Sequence, residues 1–203
     1  MITVALPKGR LGKTVYSLLA EAGYFCGEFT PDTRKLVVED RENGVRYLLV
    51  KPSDVGIYTE KGAADIGAVG ADILIETEPD VYELADLKTG CCRLVVAAPV
   101  GFSDDSSNRL RVATKYVNVA KKHYAKTGRE IEIIKLGGSI ELAAVLGLAD
   151  VIVDIVETGT TLKENNLEVI TEIVPSSARI IANKISYKFK KEQIDEICRK
   201  IGE

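Results

Sequence analysis

The segment "VIVDIVETGTTL" (residues 151–162) places two carboxylates beside a run of small hydroxyl residues. Its first half is rich in β-branched residues, carries Asp154 and is typical of a buried strand. Glu157 then precedes a Thr-Gly-Thr-Thr loop, and "KENNL" follows like a helix start. Backbone N–H groups in such a loop, together with a helix N-terminus, bind phosphate well. A carboxylate close by can accept hydrogen bonds from sugar hydroxyls.

Two interpretations of this segment stand side by side. The first is a site for a ribose 5-phosphate, with Asp154 on the sugar hydroxyls and the loop on the phosphate. The second is an ordinary helix start, in which Thr160 or Thr161 caps the helix and Glu157 is solvated. The pattern alone favours neither interpretation.

Cationic residues stand at the ends of two predicted strands near the N-terminus. Lys8 and Arg10 flank Gly9 directly after "ITVALP", and Lys51 ends "VRYLLVK". Because open α/β sheets bind ligands at the carboxyl ends of their strands, these side chains are candidates for phosphate contacts, and Arg34 is a further candidate. A single Lys or Arg is otherwise most often a solvated surface charge.

Strand and helix patterns alternate along the chain, which predicts an α/β fold with largely parallel sheets. Ser139 is expected to cap the helix "SIELAAVLGL". The stretches "KGAADIGAVGADIL" and "LGLADVIVDIVETG" both run from a helix end through Ala-Asp into an apolar strand. Either two related lobes or coincidence accounts for this similarity, since Ala-Asp followed by apolar residues is common.

The composition argues against several classes of function. A formal net charge of −3 over 203 residues provides no general surface for nucleic acid. His123 is the single histidine, lies in the polar sequence "KKHY" and is expected at the surface. The four cysteines lack CxxC spacing, so reduced thiols in a cytoplasmic protein are expected. Neither a secretory signal nor a membrane-spanning apolar run is found, so no membrane partner is expected.

Three stretches in order resemble the ATP phosphoribosyltransferase family. They are "LPKGRL", "YTEKGAADIGAVGADILIE" and "LGGSIELAAVLGLADVIVDIVETGTTLKENNL", and the resemblance runs from Leu6 to about Lys184. The commoner nucleobase phosphoribosyltransferases carry two adjacent acids before the loop, whereas Ile155 follows Asp154 here. One departure from the family pattern is Gly56 in "DVGIY", where a proline is usual.

The resemblance implies a reaction and a fold. The reaction transfers phosphoribosyl from phosphoribosyl diphosphate to N1 of ATP, giving N1-(5-phosphoribosyl)-ATP and pyrophosphate in the first step of histidine biosynthesis. Mg²⁺ is expected to bind through the substrate pyrophosphate. The fold is two-lobed, α/β and periplasmic-binding-protein-like, with a cleft and two hinge crossings. Residues 1–90 and 180–203 are expected to form lobe I on the ATP side, and residues 91–179 lobe II with the phosphoribosyl diphosphate loop.

The resemblance and the strand-end argument together give a set of site residues. No protein nucleophile is needed, because positioning and charge stabilisation suffice for an oxocarbenium-like centre and a departing pyrophosphate. Glu141 is expected to accept a hydrogen bond from the adenine amino group. Asp72, Ser139 and Glu141 have alternative structural roles at helix starts. The expected residues are Asp154, Glu157, Thr158, Gly159, Thr160 and Thr161 for phosphoribosyl diphosphate; Lys8, Gly9, Arg10, Arg34, Lys51, Asp72 and Ser139 for ATP; Lys8, Arg10 and Glu141 for catalysis; and none for metal.

The resemblance also implies partners. A long form of the family carries a C-terminal histidine-binding domain, and the sequence ends at Glu203 without residues for one. The short form is therefore expected, as a homodimer that assembles into a hetero-octamer with a regulatory subunit similar to histidyl-tRNA synthetase.

The competing class of function is a non-catalytic binding module of the same fold, such as a solute receptor. Such a module would have no use for the Thr-Gly-Thr-Thr loop.

Overall fold

The computed structural model describes residues 1–30 and 33–202, in which strands and helices alternate. The strands are β1 (Ile2–Pro7), β2 (Val37–Asp40), β3 (Val45–Val50), β4 (Ile66–Gly70), β5 (Tyr82–Asp86), β6 (Cys92–Pro99), β7 (Leu110–Thr114), β8 (Ile131–Lys135), β9 (Val151–Val156), β10 (Leu167–Ser176) and β11 (Ala178–Ala182). The α-helices are α1 (Arg10–Leu19), α2 (Val55–Glu60), α3 (Ala71–Thr77), α4 (Val117–Thr127), α5 (Glu141–Val145), α6 (Thr160–Glu164) and α7 (Lys184–Ile201).

The chain forms two compact α/β units. Unit 1 comprises Met1–Gly90 and the segment from Ser177 onwards, and unit 2 is Cys91–Ser176. The expected lobe II extended to residue 179, whereas residues 177–179 belong to unit 1. The reason is that β11 pairs with β4 and β5, both of which lie in unit 1.

Unit 1 is built on a six-stranded sheet of order β2-β3-β1-β4-β11-β5. β1 is parallel to β3 and β4, while the other three strand pairs are antiparallel. Leu6, Tyr47 and Ile66 from the strands pack with Leu19 and Ile194 from the helices, and all five are fully buried. This apolar core holds the carboxyl ends of β1, β3 and β4 at one edge of the sheet.

Unit 2 is built on a five-stranded sheet of order β10-β6-β9-β7-β8. β7 is parallel to β8 and β9, whereas β6 is antiparallel to β9 and β10. Both sheets are therefore mixed, and the prediction of largely parallel sheets is wrong. Alternation of strand and helix patterns does not report the direction in which a strand enters its sheet. β2 and β11 in unit 1 and β6 in unit 2 run opposite to the other strands of their sheets.

The two units repeat one arrangement of five strands. The order β3-β1-β4-β11-β5 in unit 1 has the same parallel and antiparallel pairs as β8-β7-β9-β6-β10 in unit 2. Oδ2 of Asp65 accepts a hydrogen bond from the N–H of Thr3 (2.8 Å), and Oδ2 of Asp150 accepts one from the N–H of Arg111 (2.8 Å). The two Ala-Asp pairs of the sequence thus occupy equivalent places, each fixing the start of a central strand against its parallel neighbour.

Candidate functional site

A pocket of about 190 Å³ lies in unit 2 at the carboxyl end of β9. It brings the acid-bearing end of β9, the loop that follows and the first residue of α5 together. Apolar side chains of Val95, Ile152 and Leu162 also line it. The lining residues that the sequence had singled out are Glu141, Asp154, Glu157, Thr158, Gly159, Thr160 and Thr161.

The loop after β9 turns through a glycine in the left-handed region. Gly159 has φ 81°, a conformation that costs a residue with a β-carbon about 1–2 kcal/mol. Gly159 also occupies the N-cap position of α6, which no side chain caps. The hydroxyl oxygens of Thr158 and Thr160 lie 3.0 Å apart and share a hydrogen bond. Because α6 begins at Thr160 with Gly159 at its N-cap position, Thr160 and Thr161 lie inside the helix, and their interpretation as its caps is wrong.

Asp154 is a largely buried carboxyl with a cation beside it. Its side chain is 15% exposed, and burial is the largest influence on its pKa, which is raised. The ammonium of Lys115 and the backbone N–H of Ile155 act in the opposite direction. Lys115 Nζ lies 3.7 Å from Oδ1 of Asp154, and the Ile155 N–H donates to Oδ1 at 2.8 Å. Glu141 further raises the pKa of Asp154.

Lys115 was not among the predicted site residues. The available signal was its position directly after β7, because a residue at a strand end can reach the same edge as Asp154. β7 and β9 are parallel neighbours, with Thr114 opposite Val153. Which strands are neighbours is set by the tertiary fold, so the sequence alone did not connect the two residues.

Unit 1 places its predicted cations at one edge of its sheet. β3, β1 and β4 are adjacent and parallel, so Lys51, Lys8 and Asp72 follow neighbouring strand ends. The Lys8 N–H donates to the carbonyl oxygen of Val50 (2.8 Å), which fixes the chain after β1. Lys8, Arg10 and Lys51 are exposed.

Arg34 lies near the same edge. The carbonyl oxygen of Leu36 accepts a hydrogen bond from the Leu49 N–H (2.8 Å), so the chain just before β2 runs beside the end of β3. Arg34 is exposed and stands two residues before Leu36. The four predicted cations of unit 1 therefore follow or flank the ends of β1 and β3.

Glycines let the chain turn tightly at this edge. Gly9 has φ 104°, and a β-carbon on Gly12 would lie 1.8 Å from the carbonyl oxygen of Pro7.

Asp72 is 6% exposed and stands in the first turn of α3. Gly70 occupies the N-cap position of α3 and no side chain caps it, so the alternative in which Asp72 is a helix cap is wrong.

Ser139 does not have the expected geometry. It has φ 49°, Ile140 occupies the N-cap position of α5, and no side chain caps this helix. Ser139 is exposed and is not among the residues that line the pocket. The left-handed turn at Ser139 displaces the helix start to Glu141, which does line the pocket.

The remaining candidates for chemistry lie apart from this pocket. His123 is half-buried, contrary to the expected surface position, and its ring packs edge-on against Tyr124 with 5.0 Å between centroids. Burial lowers the pKa of His123. In residues 1–30 and 33–202, no three His, Cys, Asp or Glu side chains form a metal-binding group. Over the same ranges, no helix is long and apolar enough to cross a membrane.

Comparisons with known proteins agree with one another. The sequence model described as ATP phosphoribosyltransferase matches residues 51–203. A protein of that name from Brachyspira hyodysenteriae is 59% identical over 100% of this chain and 99% of its own length. Another, from Caldanaerobacter subterraneus, is 50% identical over 100% of this chain and 97% of its own length.

Solved structures resemble the chain over nearly its whole length. The ATP phosphoribosyl transferase (HisG:HisZ) complex from Thermotoga maritima contains a chain with 36% identity and a TM-score of 0.89, covering 99% of this chain and 96% of that one. The VFT2 domain of Bordetella pertussis BvgS is 11% identical with a TM-score of 0.64, covering 98% and 86%. This second likeness concerns the fold alone and confirms the expected periplasmic-binding-protein-like class.

Proposed function

The chain belongs to the ATP phosphoribosyltransferase family, and we propose that the pocket of unit 2 is where it binds phosphoribosyl diphosphate. The reaction transfers the phosphoribosyl group to N1 of ATP and releases pyrophosphate, in the first step of histidine biosynthesis. One observation carries the proposal. The left-handed loop, the uncapped start of α6 and the buried carboxyl of Asp154 line a single pocket.

The pocket offers complementary groups to the two ends of ribose 5-phosphate. The loop of residues 157–161 supplies backbone N–H groups and threonine hydroxyls, which suit the phosphate. Asp154, as a carboxylate, accepts hydrogen bonds from the ribose hydroxyls. Since a carboxylate repels phosphate, we assign Asp154 to the sugar hydroxyls and the loop to the phosphate.

The transfer needs stabilised charge rather than a protein nucleophile. The bond between C1 and the pyrophosphate oxygen breaks, the electron pair leaves with pyrophosphate, and adenine N1 attacks C1 from the opposite face. The configuration at C1 therefore inverts. Attack makes the adenine amino group more acidic, and Glu141 accepts a hydrogen bond from it. Fixed groups act here by orientation and electrostatics.

Lys8 and Arg10 of unit 1 are proposed as catalytic residues and, together with Lys51 and Arg34, as the cations that bind ATP. Lys8 and Arg10 stand on either side of Gly9 in the chain, and Lys51 and Arg34 flank the end of the neighbouring strand. Their exposure leaves them accessible to an anionic ligand. Asp72 and Ser139 stay predictions for ATP binding, with Asp72 at the start of α3.

Mg²⁺ is proposed to enter with the substrate. We expect the ion to keep substrate oxygens and waters as its ligands. When bound, the ion would neutralise charge on the pyrophosphate. No protein residue is assigned to it.

A regulatory partner is also proposed. The solved relative from Thermotoga maritima is a HisG:HisZ complex, and we infer that this chain assembles with a corresponding second subunit. The homodimer, the hetero-octamer and the cytoplasmic location stay predictions.

Turnover tests the proposed function. Pyrophosphate release should require both ATP and phosphoribosyl diphosphate, and it is measured with and without the regulatory partner. Free adenine or guanine in place of ATP serves as the matched control and should give no product. Failure to turn over ATP in both conditions, or turnover of a free base instead, would overturn the proposal.

A further inference from the structure

Lys115 lies beside the pocket of unit 2 and has no role in the proposed function described above. Lys115 follows β7, its Nζ lies 3.7 Å from Oδ1 of Asp154, and its side chain is 37% exposed. The same ammonium lies 4.9 Å from the centroid of the Tyr116 ring. The cation is thus held between an aromatic face and a buried carboxyl.

The backbone around Lys115 is fixed to the strand that carries Asp154. The Thr114 hydroxyl donates to the carbonyl oxygen of Val153 (2.6 Å) and accepts a hydrogen bond from the Tyr116 N–H (2.7 Å). Thr114 is 0% exposed and Tyr116 1% exposed. Because both neighbours of Lys115 are buried and hydrogen-bonded, the Lys115 side chain extends from a fixed backbone position.

The charged side chains that lie beside Asp154 or line the same pocket come from three elements. Lys115, at the end of β7, is positive, whereas Glu141, the first residue of α5, and Glu157, in the loop after β9, are negative. The Ile155 N–H adds one hydrogen bond to Oδ1. Of these side chains, Lys115 is the one that favours the ionised form of Asp154.

We infer that Lys115 is a positioning residue for phosphoribosyl transfer, which keeps Asp154 a carboxylate oriented toward the ribose hydroxyls. This inference rests on the proposed function of the pocket. A protonated Asp154 would turn one acceptor oxygen into a donor and lose part of its ability to bind two hydroxyls. Burial raises the pKa of Asp154 and Lys115 opposes that rise, so the ion pair extends the pH range over which Asp154 is competent.

The test removes the positive charge of Lys115 while keeping the length of its side chain. Lys115→Met should raise the Kd for phosphoribosyl diphosphate about tenfold near neutral pH. It should also move the acid limb of binding, measured by calorimetry from pH 5 to pH 8, toward higher pH. Lys115→Arg keeps the positive charge and should restore the wild-type acid limb. Lys121→Met removes an exposed lysine of α4 and should leave both quantities unchanged.

The outcomes separate this inference from the proposed function. If wild-type enzyme turns over while Lys115→Met binds with an unshifted acid limb, the role of Lys115 is overturned and the proposed function stands. If Lys115→Arg fails to restore the acid limb although it melts like the wild type, the role as a charge is likewise overturned. Absence of wild-type binding and turnover would instead overturn the proposed function.

Discussion

Asp150 and Arg111 are joined by three hydrogen bonds at the starts of two neighbouring strands. Oδ2 of Asp150 accepts from the backbone N–H (2.8 Å) and the Nε (3.2 Å) of Arg111, and Oδ1 accepts from Nη2 (2.5 Å). Nη1 of Arg111 donates to the carbonyl oxygens of Gly147 and Leu148. The pair therefore ties β7, β9 and the turn after α5 together, at the end of the sheet opposite the pocket.

Asp150→Asn should lower the free energy of unfolding by about 1–3 kcal/mol at neutral pH, because hydrogen bonds to a charged group are lost. The hydrogen bond from Arg111 is the largest cause of the lowered pKa of Asp150. A carboxyl with a lowered folded-state pKa stabilises the protein above its ordinary value of about 3.9, and that stabilisation is lost as pH falls through the folded-state pKa. The difference between wild type and variant should therefore shrink at acidic pH.

Urea unfolding at neutral and acidic pH measures this difference. Asp80→Asn is the matched control, since Asp80 pairs with Lys184 but its side chain is 76% exposed, and it should change stability by less than about 1 kcal/mol. An Asp150→Asn cost that is equal at both pH values would show that the carboxylate charge is not its source.

Gly159→Ala should weaken phosphoribosyl diphosphate binding and lower stability by about 1–2 kcal/mol. The reason is conformational, because an added β-carbon would meet Val156 Cγ1 at an ordinary 3.8 Å while φ stays at 81°. Gly159→Asn is the matched comparison, since asparagine tolerates the left-handed region better. Thermal melting and ligand titration of both variants measure the effect, and equal losses for Ala and Asn would contradict the conformational explanation.

Gly12→Ala should destabilise unit 1 by more than about 2 kcal/mol, because an added β-carbon would lie 1.8 Å from the Pro7 carbonyl oxygen. The end of β1 and the start of α1 would have to separate, which displaces Lys8 and Arg10. Gly27→Ala is the control, because its nearest neighbour would be a Phe25 ring carbon at 3.7 Å. Chemical denaturation compares the two, and similar stability would show that the β1–α1 junction yields easily.

The pocket was predictable where its residues are contiguous. Asp154 and the loop of residues 157–161 belong to one strand-loop-helix segment, so local chain geometry alone brings them together. Glu141 was found through family resemblance. Lys115 carried no spacing signal, because its distance to Asp154 depends on the pairing of β7 with β9.

Some elements escaped prediction for physical reasons. β5 has a weak, partly exposed pattern and exists through its pairing with β11, a strand distant in sequence. α7 begins at Lys184, where Asn183 Oδ1 accepts hydrogen bonds from the N–H groups of Ile185 and Ser186. A kink at Lys190 (φ −121°, ψ 25°) separates the two parts of the helix. The apolar stripe of Ile194, Ile197 and Ile201 lies in the second part of the helix and does not indicate where the first part starts. Asn183, a favourable N-cap residue, is the signal in the sequence for that start.

The double change Thr158→Ala with Thr161→Ala should raise the KM for phosphoribosyl diphosphate by about tenfold or more, with a smaller effect on the KM for ATP. Both hydroxyls line the pocket, and Thr158 also bonds Thr160 within the loop. Thr171→Ala, at an exposed position of β10, is the control and should leave both constants unchanged. Unchanged phosphoribosyl diphosphate binding in the double variant would show that the loop does not hold the phosphate.

Glu141→Gln should lower kcat at least tenfold while the KM for phosphoribosyl diphosphate changes little. The proposed hydrogen bond to the adenine amino group strengthens as N1 attacks, so its loss falls on the transition state, where about 1.4 kcal/mol corresponds to a tenfold rate change. Glutamine keeps the shape and one acceptor oxygen but removes the negative charge.

Removing the charge of Glu141 should also favour ionised Asp154, because Glu141 raises the pKa of Asp154. The acid limb of phosphoribosyl diphosphate binding should therefore move to lower pH. Steady-state kinetics from pH 5 to pH 8 measure both effects, with Glu164→Gln at the exposed end of α6 as the control. A rise in KM at constant kcat would instead assign Glu141 to ground-state binding.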